Sequence, residues 1–168
     1  LSSFYFDIRK DALYCDSKNS ERREGSIIVL NIILESLVKW FAPILSFTTE
    51  EIFTLISKDN KSIHLEKFMK FPNSFKNEKL NKKWIELKKI RDICNISIEA
   101  KRASKEIGSS LEANIIINLN EKLINNLESI DFSELCITST AVVKKTESDE
   151  VTVITHKAQG EKCSICWK

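Results

Sequence analysis

Cys163 and Cys166 stand three positions apart in the run Gly160-Glu161-Lys162-Cys163-Ser164-Ile165-Cys166-Trp167-Lys168. Two thiolates at that spacing can turn onto one Zn²⁺ from a tight knuckle, but a closed tetrahedral site needs two further ligands. His156 is near in sequence, yet it sits in a stretch that reads as a strand. Three readings stay open for the pair: half of a zinc knuckle, an idle pair of thiols, or a redox dithiol outside the usual strand-to-helix setting. Trp167 adjoins it, and a Trp there either packs on a small domain's edge or stacks on an unpaired base, worth about 1–3 kcal/mol. His64 and His156 have no Ser, Asp or Cys partner at a telling spacing, and Cys15, Cys94 and Cys136 read as small core residues. No glycine-rich phosphate loop, G-x-S-x-G or H-E-x-x-H occurs, and no carboxylate pair stands out. No catalytic residue is assigned, and the chain alone is expected to be inactive.

The second chemical feature is cationic. The formal charge is +2, unevenly spread: residues 78–107 carry nine Lys or Arg against five Asp or Glu, residues 108–168 six against nine. An anionic partner would meet the first stretch before the second. The plainer reading is a solvated helix face.

These groups need a scaffold. The 168 residues suffice for one domain or two small ones, and three Gly with two Pro favour long helices over turn-rich β structure. Five Cys without a small-secreted-domain look suggest a reducing compartment, and no charged-then-apolar leader opens the sequence. Residues 1–15 place Leu1, Phe4, Tyr5, Ile8, Ala12 and Cys15 at helical spacing. Residues 20–42 read as the central helix, with Ser20 as cap and Pro43 as stop. Ile27–Phe41 is apolar except at Asn31, Glu35, Ser36 and Lys39, so it is expected to be buried nearly all round. It is shorter than the roughly 20 residues of a membrane span. Thr48 and Glu51 spell a capping box, with Phe47 and Ile52 as its hydrophobic staple and Ile52, Phe53, Leu55 and Ile56 turned inward. Residues 63–76 read as an irregular loop pinned by Phe68, Phe71 and Phe75.

A long helix is expected over residues 78–107, with a seam of Leu80, Trp84, Leu87, Cys94 and Ile98 and with Gly108 as its left-handed terminator. The pattern then changes to strand. Ala113, Ile115, Ile117 and Leu119 alternate, Asn120 caps a short helix, and residues 135–143 and 151–156 read as a hairpin with a loose charged tip. The expected fold is mainly α: an antiparallel helical bundle over residues 1–107, a small α+β subdomain over 108–158, and the start of a zinc-binding module, half a knuckle, over 159–168.

The run Tyr5-Phe6-Asp7-Ile8-Arg9-Lys10-Asp11-Ala12-Leu13-Tyr14-Cys15-Asp16 resembles the first helix of the anticodon-binding bundle of bacterial-type isoleucyl-tRNA synthetases. Arg22-Arg23, Val29-Leu30, Trp40-Phe41-Ala42-Pro43-Ile44-Leu45 and Phe47-Thr48-Thr49-Glu50-Glu51-Ile52 are similar to that family's following segments. Ile107-Gly108-Ser109-Ser110-Leu111-Glu112-Ala113 resembles its junction, and Gly160 to Trp167 the opening of its C-terminal zinc module. The resemblance covers essentially the whole chain. It implies part of a cytoplasmic class I synthetase that joins isoleucine to its tRNA using ATP and Mg²⁺. The catalytic and editing domains and the second pair of zinc cysteines would lie outside this stretch. It implies isoleucine tRNA as partner, no membrane, no DNA and a monomer. Arg9, Lys10, Arg22, Arg23, Lys101, Arg102 and Lys105 are then the candidate phosphate contacts, Trp167 the stacking candidate, and Cys163 and Cys166 a half site for Zn²⁺. Ala12 stands where the family often has Arg, which removes one candidate contact. The alternative is a helical protein-interaction module with a zinc-ribbon end and no RNA role.

The half-site reading has a direct consequence. This chain alone is expected to hold Zn²⁺ weakly, or only between two chains. Metal analysis returning one tightly held zinc per monomer would refute it.

Overall fold

The structure is a computed structural model and describes residues 2–57, 61–127 and 129–164. A π-helical turn, Ser2–Phe6, runs into α1 (Asp7–Tyr14). There follow α2 (Glu21–Phe41), α3 (Ser46–Ile56), two 3₁₀ turns at Ile63–Leu65 and Asn73–Phe75, and α4 (Glu78–Ala103). After a 3₁₀ turn at Ser110–Glu112 come β1 (Ala113–Leu119), α5 (Glu121–Asn126), α6 (Phe132–Cys136), β2 (Thr140–Lys145) and β3 (Thr152–Lys157). Helix predominates over one small sheet, as expected. The chain forms two compact units, one of residues 1–11 and 77–168, the other of residues 12–76. The long helix α4 thus groups with the strands, because its apolar seam is buried on them.

In the first unit β1 alternates as its sequence requires: Ala113, Ile115, Ile117 and Leu119 are buried, with half-buried residues between them. Leu87, Ile90, Cys94 and Ile98 of α4 share that core with Leu127, Phe132, Leu135 and Cys136. The expected seam holds at Leu87, Cys94 and Ile98; Trp84 is half-buried against the core, whereas Leu80 is exposed. Ser97 Oγ and Thr155 Oγ1, 2.7 Å apart, tie α4 to β3 by a hydroxyl bond that satisfies the buried threonine.

The expected hairpin does not form. The strand order is β2-β1-β3, with β1 parallel to β2 (Asn114 opposite Thr140) and antiparallel to β3 (Ala113 opposite Lys157). Two physical facts redirect the chain. Leu135 and Cys136 are helical, since the Asp131 carboxylate accepts from the Ser133 and Glu134 amides and caps α6. And β1 is the most apolar strand, so it takes the centre, leaving the edges to strands that carry Lys144, Lys145, His156 and Lys157. α5 and α6 supply the crossover that a parallel β1–β2 pair needs, and Asn120 caps α5 as expected, accepting from the Leu123 amide at 2.9 Å.

Helix α4 also stops earlier than its pattern suggested. Lys105 takes the left-handed conformation (φ 59°), its amide donates to Arg102 O, and the Glu106 amide donates to Lys101 O. This is a Schellman termination, with a lysine where glycine is usual. Gly108 instead donates its amide to Glu112 Oε2 at 2.9 Å.

In the second unit Ser20 caps α2 by accepting from the Arg23 amide, and Pro43 follows its end. Val38, Ala42, Phe53 and Ile63 form the unit's buried core, with Ile52 against it. The expectation that α2 is buried all round is overturned: Ile28, Val29, Leu34, Trp40 and Phe41 are exposed, whereas the small Ser26 and Ser36 are buried. Only Ser26, Ser36 and Val38 of α2 are fully buried, and the two serines satisfy their hydroxyls by donating to carbonyls one turn back, Arg22 O and Ile32 O. The capping box fails too. α3 begins at Ser46 behind Leu45 with no side-chain cap, Thr49 bonds to Leu45 O, and Phe47 is exposed, so the staple is absent. Only Phe53 of the expected inward set is fully buried, and Leu55 and Ile56 are exposed. Phe68, Phe71 and Phe75, expected to pin their loop, are exposed as well.

Ile117→Ala is expected to destabilise the unit containing the sheet by about 2–5 kcal/mol, because the fully buried side chain leaves a cavity between β1 and α4. Urea unfolding followed by circular dichroism measures it.

Candidate nucleic-acid interface

α4 is 26 residues long, about 39 Å of rigid rod at 1.5 Å per residue. Asn77 caps its start through the Leu80 amide, and its last turn carries Lys101 and Arg102. Cations belong there, because the unsatisfied carbonyls of a helix C-terminus carry partial negative charge. The Schellman turn then brings Lys105 beside them. Arg102 and Lys105 line a cleft of about 500 Å³ with Glu99, Ala103, Ile107 and Gly108.

Carboxylates balance these cations. Lys101 Nζ meets both oxygens of Glu106 at 3.0 and 2.8 Å, and Arg102 Nη1 meets Glu99 Oε1 at 2.6 Å. The Lys101 hydrogen bond, helped by that of Ser104, holds the Glu106 carboxyl below its ordinary 4.5. Lys105 is exposed and, among the described residues, enters no ion pair. Next in the chain, the Glu112 carboxyl is held below 4.5 by the Gly108 amide and then by Lys162, 3.4 Å away. It fixes the turn that leads from α4 into β1.

The remaining expected contacts lie elsewhere. Arg9 donates to Glu134 Oε1 at 2.9 Å and joins α1 to α6. Lys10 pairs with Asp7 one turn earlier at 2.8 Å. Arg22 grips Asp16 with two hydrogen bonds of 2.8 and 2.6 Å, which keeps the Asp16 carboxyl below its usual range, and Arg23 donates to Leu13 O. Arg22 and Arg23 thereby fix the turn between α1 and α2. The structure thus brings Lys101, Arg102 and Lys105 together and gives the other four basic residues separate local partners. Of the counter-charges at the end of α4, Glu99 was legible, since it stands three residues before Arg102 on a helix. Glu106 and Glu112 act through a turn geometry that no sequence spacing announces. A second grouping that the sequence hid is Phe4, whose ring meets Trp84 edge-on at 6.0 Å and lies beneath Lys88 and Arg91 at 5.3 and 5.2 Å.

Cys163 is exposed, and Cys166 and Trp167 lie outside the described residues. Among the described residues no three His, Cys, Asp or Glu side chains converge on a point that could hold a metal ion. Of the expected pair of zinc ligands, Cys163 alone is among the described residues. Cys94 and Cys136 are buried as expected, whereas Cys15 is exposed on the polar turn. A hydrogen bond with Cys94, followed by burial, pushes the Cys136 thiol far up, so Cys136 stays protonated. Among the described residues no helix is long and apolar enough to cross a membrane.

Comparison with known proteins gives these observations a context. The family described as "Anticodon-binding domain of tRNA ligase" matches residues 1–117. The isoleucine–tRNA ligase of Pelagibacter ubique is 75% identical over all 168 residues, which make up 19% of that protein. Those of Rhodopseudomonas palustris and Bartonella quintana are 38% and 39% identical over the whole chain, again covering 18% of each. The chain spans about a fifth of the length of the curated relatives it matches.

The carboxylates at the end of α4 set an acid limit. Both Glu106 and Glu112 sit lower folded than unfolded, so their contribution is complete above about pH 4.5 and is lost as pH falls through their lower folded values. Thermal melts taken from neutral pH into the acid range are expected to show this loss, and Glu106→Gln to flatten it.

Proposed function

The chain belongs to the anticodon-binding domain family of tRNA ligases, and from that premise we propose that it is the part of an isoleucine–tRNA ligase that holds the anticodon arm of isoleucine tRNA. The cluster of Lys101, Arg102 and Lys105 at the end of α4 supports this reading. Lys101 and Arg102 on the last turn of a rigid helix and Lys105 on the turn after it, with Arg102 and Lys105 lining an open cleft, suit phosphates of a stem. Their present partners do not stand in the way. Glu106 and Glu99 are exposed, and exposed ion pairs are worth about 0–1 kcal/mol, so a phosphate can displace them. Each cation that meets a phosphate releases condensed counterions, so affinity falls with salt. Lys10, Arg22 and Arg23 would serve as peripheral contacts. Arg9, less exposed and paired with Glu134, mainly holds α1 in place. Unpaired anticodon bases would be read by stacking and edge hydrogen bonds, with Trp167 as the stacking residue.

Under the same reading the parent ligase joins isoleucine to its tRNA with ATP and Mg²⁺ in domains outside this stretch, in the cytoplasm, as a monomer and without binding DNA. Residues 1–107 would contribute helices to an antiparallel bundle, and Cys163 with Cys166 would supply two of four zinc ligands. The family match weighs against a protein-interaction module with no RNA role.

Binding of isoleucine tRNA, compared with the same tRNA bearing a mutated anticodon, tests the proposal. The wild-type RNA is expected to bind more tightly. Replacing Lys101, Arg102 and Lys105 by Ala should weaken binding and reduce the slope of log affinity against log salt by about 0.9 for each duplex phosphate that is no longer neutralised. Equal affinity for both RNAs would reduce the interaction to unspecific charge.

A further inference from the structure

β1 carries two asparagines on the side of the sheet turned away from α4. Ala113, Ile115, Ile117 and Leu119 face the core, so Asn114, Ile116 and Asn118 face the other way. Asn118 is used structurally: its Nδ2 donates to Oγ1 of Thr152, its cross-strand partner, at 3.0 Å. Asn114 stands between Thr140 on β2 and His156 on β3. Its Oδ1 is buried and, among the described residues, accepts no hydrogen bond. Two like residues on one strand face thus differ in a way that folding alone does not explain, because an unmade bond at a buried acceptor costs stability. The same asparagine lines a pocket of about 600 Å³ at this end of the sheet, with Ser139, Thr140, His156, Lys157 and Gln159. That volume is within the range of small-ligand sites. The pocket shares its Lys157 and Gln159 wall with a second hollow, of about 290 Å³, that extends to Lys162.

We propose that this pocket receives an unpaired RNA base carrying an exocyclic amine, adenine or cytosine, and that Asn114 selects it. The inference rests on the reading of the chain as the RNA-holding part of a ligase, and it adds a base site to the phosphate contacts of α4. Three features fit one nucleotide. Asn114 supplies the selecting edge: Oδ1 accepts from the amine while Nδ2 donates to the neighbouring ring nitrogen, the pairing that asparagine makes with adenine. Cytosine offers the same order of groups at N4 and N3. Uracil replaces the amine by a carbonyl oxygen, which Oδ1 repels. His156, exposed and directly across the ladder from Asn114, presents an imidazole ring on which a base stacks. Lys157, exposed beside it, meets the phosphate of the same nucleotide.

Fluorescence anisotropy of the chain with end-labelled single-stranded hexaribonucleotides tests the assignment. Oligoadenylate is compared with oligouridylate and with an oligomer of unsubstituted purine, which keeps the ring and charge of adenine but lacks the amine. Oligoadenylate is expected to bind several-fold more tightly than either. Asn114→Leu is expected to bring all three to the weaker affinity, whereas Asn118→Leu, on the same face of the same strand, keeps the preference. His156→Ala is expected to weaken oligoadenylate and the purine oligomer alike. Equal binding of those two oligomers by the unaltered chain overturns the proposal, and so does a preference that survives Asn114→Leu. The purine comparison needs no substitution, so it decides even if Asn114→Leu fails to fold. Oligomers bound equally while the two tRNAs are still told apart overturn the pocket alone. Oligomers told apart while the two tRNAs bind equally uphold the pocket and overturn the anticodon reading.

Discussion

Ala113, Ile115, Ile117 and Leu119 point to one side of a strand and must leave water together. That constraint organises the larger unit. A strand alternates strictly, so its apolar side needs a flat apolar surface laid along it. The seam of Leu87, Ile90, Cys94 and Ile98 on α4 supplies one. Once α4 is fixed there, its C-terminal turn is fixed as well, and with it the directions of Lys101, Arg102 and Lys105. The basic cluster is therefore a consequence of packing some distance away. Loosening β1 would disperse it without touching a single cation.

At that helix end carboxylates balance the cations. Glu106 and Glu99 pair with Lys101 and Arg102 in contacts that stay exposed to water. The Glu134–Arg9 and Asp16–Arg22 pairs serve differently, since each closes a local structural contact. The carboxylate at Glu112 belongs with these: it holds the turn between α4 and β1 through the Gly108 amide and reaches Lys162 near the cysteine-bearing end of the chain. Similar charges thus divide into pairs that fix the fold and pairs that stay exposed, according to how far they are withdrawn from water.

The smaller unit shows what happens when apolar pattern exceeds available partners. Its helix α2 is apolar on nearly every side, yet only Ser26, Ser36 and Val38 of it are fully buried. Glu35, Lys39 and Glu66 close one flank, with the Lys39 ammonium held at 2.7 Å from Glu35 and its charged form favoured by that bond. Apolar pattern along one helix counts side chains and not the surfaces available to cover them. That is why burial read from α2 alone overshot.

What the sequence determined by itself is local: the alternation of β1, the seam of α4, the caps at Ser20 and Asn120, the stop at Pro43, and the concentration of cations between residues 78 and 107. Each follows from residue types a few positions apart, where backbone period and hydrogen-bond reach leave little choice. The tertiary structure decided the rest. It placed β2 and β3 on opposite edges of β1, ended α4 on a left-handed lysine, left Phe47 without a partner to staple, and gave each candidate arginine its own carboxylate or carbonyl. Those outcomes depend on which distant segments compete for the same surface and the same hydrogen-bonding groups. That competition is settled only when the whole chain is folded, so no window of neighbouring residues contains it.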